Sequence, residues 1–416
     1  MYAGVQPDSS TGAAGIVSGE LDGKPHETRF GEALLAQYGE AGILYHADRV
    51  RWDWAAGFRE RMVSPEVHAD RRVTFRVKAP NAKRVVLHSI PILNALGSAD
   101  GMVGFHEVDD DGVWSLTLGP LPPDIYDYIY FIDGVPFVDS SNPAVQSGTA
   151  SPRSLMTVPT GGEPGYYGAR DVPHGTLHRH FYPSQAVASV RDVYVYTPPG
   201  YDADPDRTYP VLYLLHGGGD DARGWSLVGR AHMIMDNLLA EGKAQPMIVV
   251  MPCGQAVPRS SSFEALRTQN TPLFEKDLLG DIMPLVESTY RIQADRDHRA
   301  MAGLSMGGGQ TNAIGLNRLD LFSHIGILSS GRFDFAEDHP DLLADPAATN
   351  EKLDLLFLGC GTYDPLAIEG MERTHALLTE KGIEHVYWTL EGSAHTWVVW
   401  RSALYHEFLP RLWQEP

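Results

Sequence analysis

The sequence predicts an α/β domain with a largely parallel sheet, preceded by a small all-β domain. In the C-terminal part, residues 209–215 form a continuous apolar run, which is typical of a parallel strand buried on both faces. In the N-terminal part, residues 72–79 alternate apolar and polar side chains, residues 125–132 form a later strand-like run, and Asp133-Gly134 favours a hairpin turn. Short strands at this spacing indicate an immunoglobulin-like β-sandwich. With 416 residues, 43% of them hydrophobic, the chain can fill both cores.

Composition divides the chain into four segments. Residues 1–65 form an N-terminal extension that we expect to be partly disordered, because its first twenty residues are polar and small. We assign residues 66–142 to the β-sandwich and residues 176–416 to the α/β domain. The segment between them, residues 143–175, is rich in Ser, Gly and Pro and is predicted to be a linker.

A candidate nucleophile lies in the α/β domain, where residues 303–307 read Gly-Leu-Ser-Met-Gly. The motif lies between a strand-like apolar run and a helical stretch of small residues. This is the setting of the nucleophile elbow of α/β-hydrolases, a sharp turn that needs glycines because the serine backbone is strained. Ser305 is therefore the predicted nucleophile, with its Oγ exposed at the top of the sheet.

A glycine-rich loop follows the strand predicted at residues 209–215 and reads His-Gly-Gly-Gly from residue 216. In α/β-hydrolases such a loop turns one backbone N–H toward the oxyanion, and the residue after the nucleophile supplies another. The predicted donors are Gly218 and Met306, with Gly217 as the alternative to Gly218. Each donor of this kind is worth about 3–4 kcal/mol in the transition state.

Position in the chain selects the general base among seventeen histidines. His395 follows the strand-like residues 386–390 and precedes the start of the last predicted helix, which is where this fold order places its base. His216 is the competitor, but its position at the mouth of the glycine-rich loop better suits structural anchoring.

The third member is expected to be a carboxylate between the serine and the histidine in the chain. Asp364 follows a strand-like run that starts at residue 353, and we choose it to accept a hydrogen bond from His395 and to stabilise the imidazolium. Asp334, Asp338 and Glu391 remain alternatives.

Five ordered motifs resemble those of carbohydrate esterase family 1, which contains bacterial feruloyl esterases and acetylxylan esterases and is related to esterase D and the mycolyltransferases. The resemblance covers about the last half of the chain and rests on residues 213–219, 248–252, 302–308, 361–364 and 392–401. It implies a serine carboxylesterase that needs no cofactor and acts through an acyl-enzyme.

The sequence departs from this family next to two of the motifs. Ala394 directly precedes His395 where many relatives carry glycine, and Cys253 follows Pro252 where relatives often carry aspartate. Neither position belongs to the predicted triad, but both border the region that sets the choice of ester.

The N-terminal domain resembles the family 48 carbohydrate-binding module of isoamylases and glycogen-branching enzymes, which is also fused to feruloyl esterases. The resemblance rests on residues 75–80, 112–114 and 128–134. Trp114 and the tyrosines of the last strand could stack on sugars, but alternating aromatic residues on a strand more often fill a sandwich core.

Two tryptophans are candidates for the walls of the acyl or sugar pocket. Trp225 lies just after the glycine-rich loop, and Trp397 follows the predicted base by two residues. Ordinary packing is the alternative for both.

Composition and motifs exclude several other functions. A formal net charge of −20 makes binding to a nucleic-acid backbone improbable. The chain contains no metal-binding motif, so no metal is predicted, and no apolar run long enough to span a bilayer. Its first residues lack the basic and apolar regions of a secretory signal, which leaves the cellular compartment undefined.

The resemblance implies release of ferulic or related hydroxycinnamic acids from esterified arabinoxylan or its oligosaccharides. The alternative enzymes are an acetylxylan esterase and an enterobactin-type siderophore esterase, and the acidic chain disfavours an anionic catecholate substrate. A non-enzymatic glycan-binding protein is the alternative of a different class, against which the complete predicted triad argues. The oligomeric state is not predicted.

Overall fold

The structure is a computed structural model. It describes residues 62–150, 152–258 and 260–414, together with the backbone of three strands nearer the N-terminus. These strands, β1 (Val5–Pro7), β2 (Gly15–Leu21) and β3 (Lys24–Arg29), form an antiparallel sheet. The remainder of the predicted N-terminal extension up to residue 61, including its predicted disorder, lies outside the described residues.

The first compact part consists of the described residues 62–150 and 152–158, which form ten short strands and one helix. They are β4 (Glu66–Val67), β5 (Val73–Lys78), β6 (Val85–His88), α1 (Ile90–Ala95), β7 (Met102–Gly104), β8 (Glu107–Val108), β9 (Val113–Leu118), β10 (Asp124–Ile132), β11 (Val135–Phe137), β12 (Val145–Gln146) and β13 (Arg153–Val158).

These strands form two antiparallel sheets around one apolar core. One sheet has the order β4-β5-β9-β8, and the other has the order β12-β13-β10-β6-β7, with β11 paired to β10. Tyr126, Tyr128 and Tyr130 alternate along β10, are at most 1% exposed, and pack with Phe75 of the facing sheet. The tyrosines therefore fill the sandwich core and present no ring face to a sugar.

The sandwich extends beyond the boundary that composition suggested. Strands β12 and β13 belong to the segment predicted as a linker, and β13 pairs with β10 over five residues. Leu155, Met156 and Val158 of β13 are buried. The Ser, Gly and Pro residues around this strand masked its apolar pattern, so the sandwich continues to Val158 and the connection to the next sheet is correspondingly shorter.

The described residues from 176 to 414, with residue 259 excepted, form eight strands and ten α-helices. The strands are β14 (Thr176–Ser184), β15 (Ser189–Thr197), β16 (Val211–Leu215), β17 (Ile248–Pro252), β18 (Arg299–Leu304), β19 (His324–Leu328), β20 (Leu355–Gly361) and β21 (Val386–Leu390). The α-helices are α2 (Gly224–Leu227), α3 (Ala231–Ala240), α4 (Phe263–Asp277), α5 (Met283–Thr289), α6 (Met306–Gln310), α7 (Phe335–Asp338), α8 (Pro340–Ala344), α9 (Pro346–Lys352), α10 (Ile368–Lys381) and α11 (Trp397–Ala403). The π-helical turns are Leu278–Ile282, Thr311–Gly315 and Leu404–Phe408, and the 3-10 turns are Tyr201–Ala203, Arg296–His298, Leu316–Arg318 and Leu409–Arg411.

The eight strands form one sheet in the order β14-β15-β17-β16-β18-β19-β20-β21. The hairpin β14–β15 is antiparallel to the rest, and the six other strands run parallel. Strands β16, β18 and β19 are buried along their whole length because helices cover both faces of the sheet. The predicted fold class is confirmed: an α/β-hydrolase domain follows a small all-β sandwich.

The sandwich and the hydrolase sheet share a buried boundary within the compact unit that begins at Val63. Ile125 and Leu155 of the sandwich belong to the same apolar cluster as the tryptophans of α11. Arg401 of α11 is fully buried and donates to Asp124 Oδ1 at 2.5 Å, to the Ile125 carbonyl oxygen at 2.9 Å and to the Val228 carbonyl oxygen at 2.9 Å. The buried ion pair between Arg401 and Asp124 thus links the sandwich to the hydrolase domain within their apolar boundary.

Candidate active site

Ser305 lies at the turn between β18 and α6, in a backbone conformation that few side chains adopt. Its φ is 51° and its ψ is −114°, and its N–H donates to the Leu328 carbonyl oxygen at 2.8 Å. A Cβ added at Gly303 would lie 2.4 Å from the backbone of Gly307, and one at Gly307 would lie 2.6 Å from the His216 carbonyl oxygen. Both glycines are therefore required by close backbone approach, as the elbow motif predicts.

The glycine-rich loop after β16 packs directly against this turn. A Cβ added at Gly217 would lie 3.3 Å from Ser305 Cβ, and one at Gly218 would lie 3.9 Å from Met306 Cβ. The two residues predicted as oxyanion donors, Gly218 and Met306, are thus neighbours beside the serine.

His216 connects this loop to the segment after β17. It is 1% exposed, its Nδ1 contacts the Gly217 carbonyl oxygen at 2.8 Å, and its Nε2 accepts from the Gly254 N–H at 2.9 Å. Burial lowers the pKa of His216, so the ring is neutral near pH 7. Both ring nitrogens are engaged with backbone, which leaves this histidine an anchor for the loop.

His395 and Asp364 form a hydrogen-bonded pair at the ends of neighbouring strands. Asp364 follows β20, is fully buried, and accepts from His395 Nδ1 at 2.8 Å and from the Leu366 N–H at 3.0 Å. His395 lies in the loop between β21 and α11, with 17% of its side chain exposed. Of the alternative acids, Asp334 instead caps the N-terminus of α7.

A cleft of about 290 Å³ opens beside His395 and the glycine-rich loop. Gly218, Gly219 and His395 line it on the hydrolase side, together with Trp397 and Trp400. The ring of Trp400 meets the His395 ring edge to face, with centroids 5.0 Å apart. The cleft therefore combines the predicted base and oxyanion loop with an aromatic wall.

Only one of the two tryptophans predicted as pocket walls borders this cleft. Trp397 lines it, whereas Trp225 is 1% exposed and donates from its Nε1 to the Leu215 carbonyl oxygen at 2.8 Å. The Trp225 ring packs edge to face against Trp397 at 5.1 Å. Trp225 thus supports the wall from behind, because its indole N–H is satisfied inside the domain.

The sandwich contributes residues to this region that no local motif indicated. Asn94 of α1 donates from Nδ2 to the Gly392 carbonyl oxygen at 3.0 Å, and its Oδ1 accepts from the Ala394 N–H at 3.0 Å. It therefore holds the loop that leads into His395, although Asn94 and Gly392 are 298 residues apart. Contacts at such separation leave no periodic signal in a single sequence.

The segment between β12 and β13 is tied to the glycine-rich loop. The carbonyl oxygen of Gly219 accepts from the N–H groups of Thr149 and Ala150, at 2.9 Å and 3.1 Å. Gln146 donates to the carboxylate of Asp220. Burial raises the pKa of Asp220 to about 6. The predicted oxyanion loop is thus held on one side by His216 and on the other by the sandwich.

The described residues were also compared with the requirements of a metal site and of a membrane-spanning helix. Within the described ranges, no group of three or more His, Cys, Asp or Glu side chains could hold a metal ion. No helix in the same part of the chain has the length and apolar character that a bilayer crossing needs.

A serine on a strained strand-to-helix turn, with a histidine–carboxylate pair at neighbouring strand ends, is typical of hydrolases that cleave acyl bonds. The chain belongs to the putative esterase family, whose model matches residues 184–410.

The relatives of this chain include an endo-1,4-beta-xylanase/feruloyl esterase from Xylanibacter ruminicola. It is 33% identical over 346 residues, which cover 82% of this chain and 44% of that protein. An endo-1,4-beta-xylanase Y from Acetivibrio thermocellus is 30% identical over 154 residues, or 34% of this chain and 13% of that protein. The chain thus spans less than half the length of either relative.

Two solved structures are similar to this fold. The CE1 ferulic acid esterase from Anaeromyces mucronatus, in complex with ferulic acid, is 25% identical with a TM-score of 0.52, and the match covers 59% of this chain and 93% of that chain. The enterobactin esterase from Shigella flexneri is 17% identical with a TM-score of 0.60, covering 82% of this chain and 93% of that chain. The second likeness concerns the fold alone.

Proposed function

We propose that this protein is a feruloyl esterase that releases ferulic or related hydroxycinnamic acids from esterified arabinoxylan or its oligosaccharides. The observation that carries the proposal is the 2.8 Å contact between Asp364 and His395 at a cleft bordered by the glycine-rich loop, which packs against Ser305. A buried carboxylate in this position keeps the histidine Nε2 available as a proton acceptor.

The reaction proceeds in two halves on this arrangement. Ser305 Oγ attacks the ester carbonyl carbon while His395 takes the hydroxyl proton, and the N–H groups of Gly218 and Met306 stabilise the oxyanion. His395 then returns the proton to the departing alcohol, which leaves an acyl-enzyme. Water attacks the acyl carbon with His395 again as the base, and the acid is released as Ser305 recovers its proton.

The choice of acyl group is supported by the names of similar proteins and by the cleft. The relative from Xylanibacter ruminicola and the structure from Anaeromyces mucronatus both carry feruloyl or ferulic acid esterase in their names. Trp397 and Trp400 form a wall of the cleft beside His395, and aromatic side chains pack well against a planar hydroxycinnamoyl ring.

The β-sandwich is proposed to be a module of the family 48 carbohydrate-binding type, with bounds at residues 66 and 158. The following residues up to 175 connect it to the catalytic domain, which begins at residue 176. The three tyrosines of β10 take no part in sugar stacking in this proposal, because they are buried in the sandwich core.

The test compares hydrolysis of methyl ferulate with that of 4-nitrophenyl acetate by the wild type and by Ser305→Ala. The control is Ser288→Ala, which changes an exposed serine on α5, outside the site. We expect ferulate release by the wild type and the control, and a fall in kcat on the order of 10⁴-fold or more in Ser305→Ala.

Other outcomes would change the proposal in defined ways. Acetate release without ferulate release would retain Ser305 and make the protein a deacetylase. Ferulate release that survives Ser305→Ala would remove the serine from the mechanism. An absence of turnover with both esters would favour a glycan-binding role.

A further inference from the structure

One face of the six-stranded sandwich sheet is directed toward the hydrolase domain. Along β10, Tyr126 and Tyr128 enter the sandwich core, so Ile125 and Asp127 lie on the opposite face. Ile125 packs with Leu155 of β13 in the apolar cluster shared with the hydrolase. The side chains further along this face are therefore positioned beside the boundary between the two parts.

Three polar side chains continue this face on three adjacent strands and line the cleft. They are His88 at the end of β6, Asp127 in β10 and Arg153 at the start of β13. Arg153 pairs with Asp127 through its Nε, and its NH2 donates to the His88 carbonyl oxygen at 3.2 Å.

These side chains remain partly accessible to solvent. The side chain of Arg153 is 25% exposed and that of Asp127 is 17% exposed. Both side chains border the cleft that His395 also lines. The arrangement therefore has both the access and the proximity that contact with bound substrate requires.

The charges of His88, Asp127 and Arg153 determine which class of ligand the sandwich side of the cleft can bind. Arg153 and Asp127 neutralise each other, and burial, followed by the nearby Arg153, lowers the pKa of His88 so that its ring is neutral near pH 7. Asp220 lines the same cleft, and its carboxyl group adds no positive charge in either protonation state. The cleft thus carries no net positive charge, which disfavours an anionic alcohol and suits a neutral group with several hydroxyls.

The hydrolase side and the sandwich side of the cleft differ in polarity. Trp397 and Trp400 provide an aromatic surface, whereas the sandwich provides hydrogen-bond donors and acceptors. We propose that His88, Asp127 and Arg153 form a subsite for the sugar alcohol half of the ester, while Trp397 and Trp400 contact the acyl group. This inference rests on the proposed function, and it makes the sandwich part of the substrate site.

The test compares two esters of the same acid that differ in the alcohol. Methyl ferulate and a feruloylated arabinosyl xylo-oligosaccharide are hydrolysed by the wild type and by Arg153→Met. We expect kcat/KM for the oligosaccharide ester to fall about tenfold or more, chiefly through KM, while kcat/KM for methyl ferulate changes by less than about twofold.

Two further variants separate binding from folding. The double variant Asp127→Asn with Arg153→Gln removes both charges, so neither remains unpaired, and it is expected to show the same loss on the oligosaccharide ester alone. Arg179→Met breaks an Arg–Asp pair of the hairpin β14–β15, outside the cleft, and is expected to change neither ester.

The outcomes distinguish this inference from the proposed function. Equal losses on both esters, or no loss on either, would overturn the subsite. If the wild type releases no ferulate, the proposed function fails, and the alcohol comparison is repeated with methyl acetate and an acetylated xylo-oligosaccharide. Calorimetry of the unesterified oligosaccharide with Ser305→Ala provides a readout without turnover. Affinity unchanged by adding Arg153→Met, or absent from the start, would also refute the subsite.

Discussion

Replacement of Asn94 by alanine tests whether the sandwich positions His395, the proposed general base. The side chain makes two hydrogen bonds of 3.0 Å to the loop at Gly392 and Ala394, immediately before His395. Each bond contributes about 0.5–1.5 kcal/mol, so their loss weakens the productive loop position by about 1–3 kcal/mol. If all of this energy is lost from the transition state, kcat falls about 5- to 150-fold.

The assay measures kcat and KM for 4-nitrophenyl acetate, together with the midpoint of thermal unfolding. KM is expected to stay unchanged, because Asn94 does not line the cleft. The matched control is Asn142→Ala, which removes an amide that donates to Tyr128 Oη at 3.0 Å and to the Leu155 carbonyl oxygen at 2.7 Å, inside the sandwich. A kcat within twofold of the wild type in Asn94→Ala, or an equal loss in Asn142→Ala, would refute the positioning role.

Three further predictions concern the histidine–carboxylate pair, the buried ion pair and a buried histidine. Asp364→Asn keeps the shape of the site but stabilises the wrong tautomer of His395, so kcat is expected to fall on the order of 10⁴-fold in ester hydrolysis, with KM little changed. Arg401→Met leaves Asp124 buried without its partner and is expected to lower the free energy of unfolding in urea by about 3–5 kcal/mol, a loss that the added change Asp124→Asn partly restores. Burial lowers the pKa of His324 to about 4, so the unfolded chain binds more protons below pH 6.5, and the free energy of unfolding falls by up to about 3 kcal/mol between pH 6.5 and 4. A urea titration series should show a flatter pH dependence in His324→Gln; an identical slope would contradict this assignment.

Local signals explain why the hydrolase sheet and its motif positions could be predicted. The apolar runs of β16 and β18 identify buried parallel strands, and the glycines around Ser305 are required by backbone contacts of 2.4 Å and 2.6 Å for an added Cβ. Chain order then pointed to Asp364 and His395, which the structure brings within 2.8 Å. Each of these inferences depends on a few consecutive residues and a known order of elements.

The remaining features depend on which side of a loop or sheet a residue occupies. Trp225 is close in sequence to the glycine-rich loop, but its indole N–H is directed to Leu215 inside the domain. Strand β13 was hidden by the composition of its neighbours, although four of its six residues are buried. Arg153 and Asn94 reach the catalytic region only because the sandwich packs there, and no pattern in a single sequence encodes that packing.

The apolar cluster shared by Ile125, Leu155 and α11 affects whether the catalytic part can be separated from the sandwich. Removal of the sandwich would take Ile125 and Leu155 from the apolar cluster of Trp397 and Trp400, and it would remove Asp124, the counter-charge of Arg401. We therefore expect the catalytic part without the sandwich to have a lower free energy of unfolding than the two parts together. An engineered transplant that is to keep the catalytic part folded is therefore best made with the sandwich included.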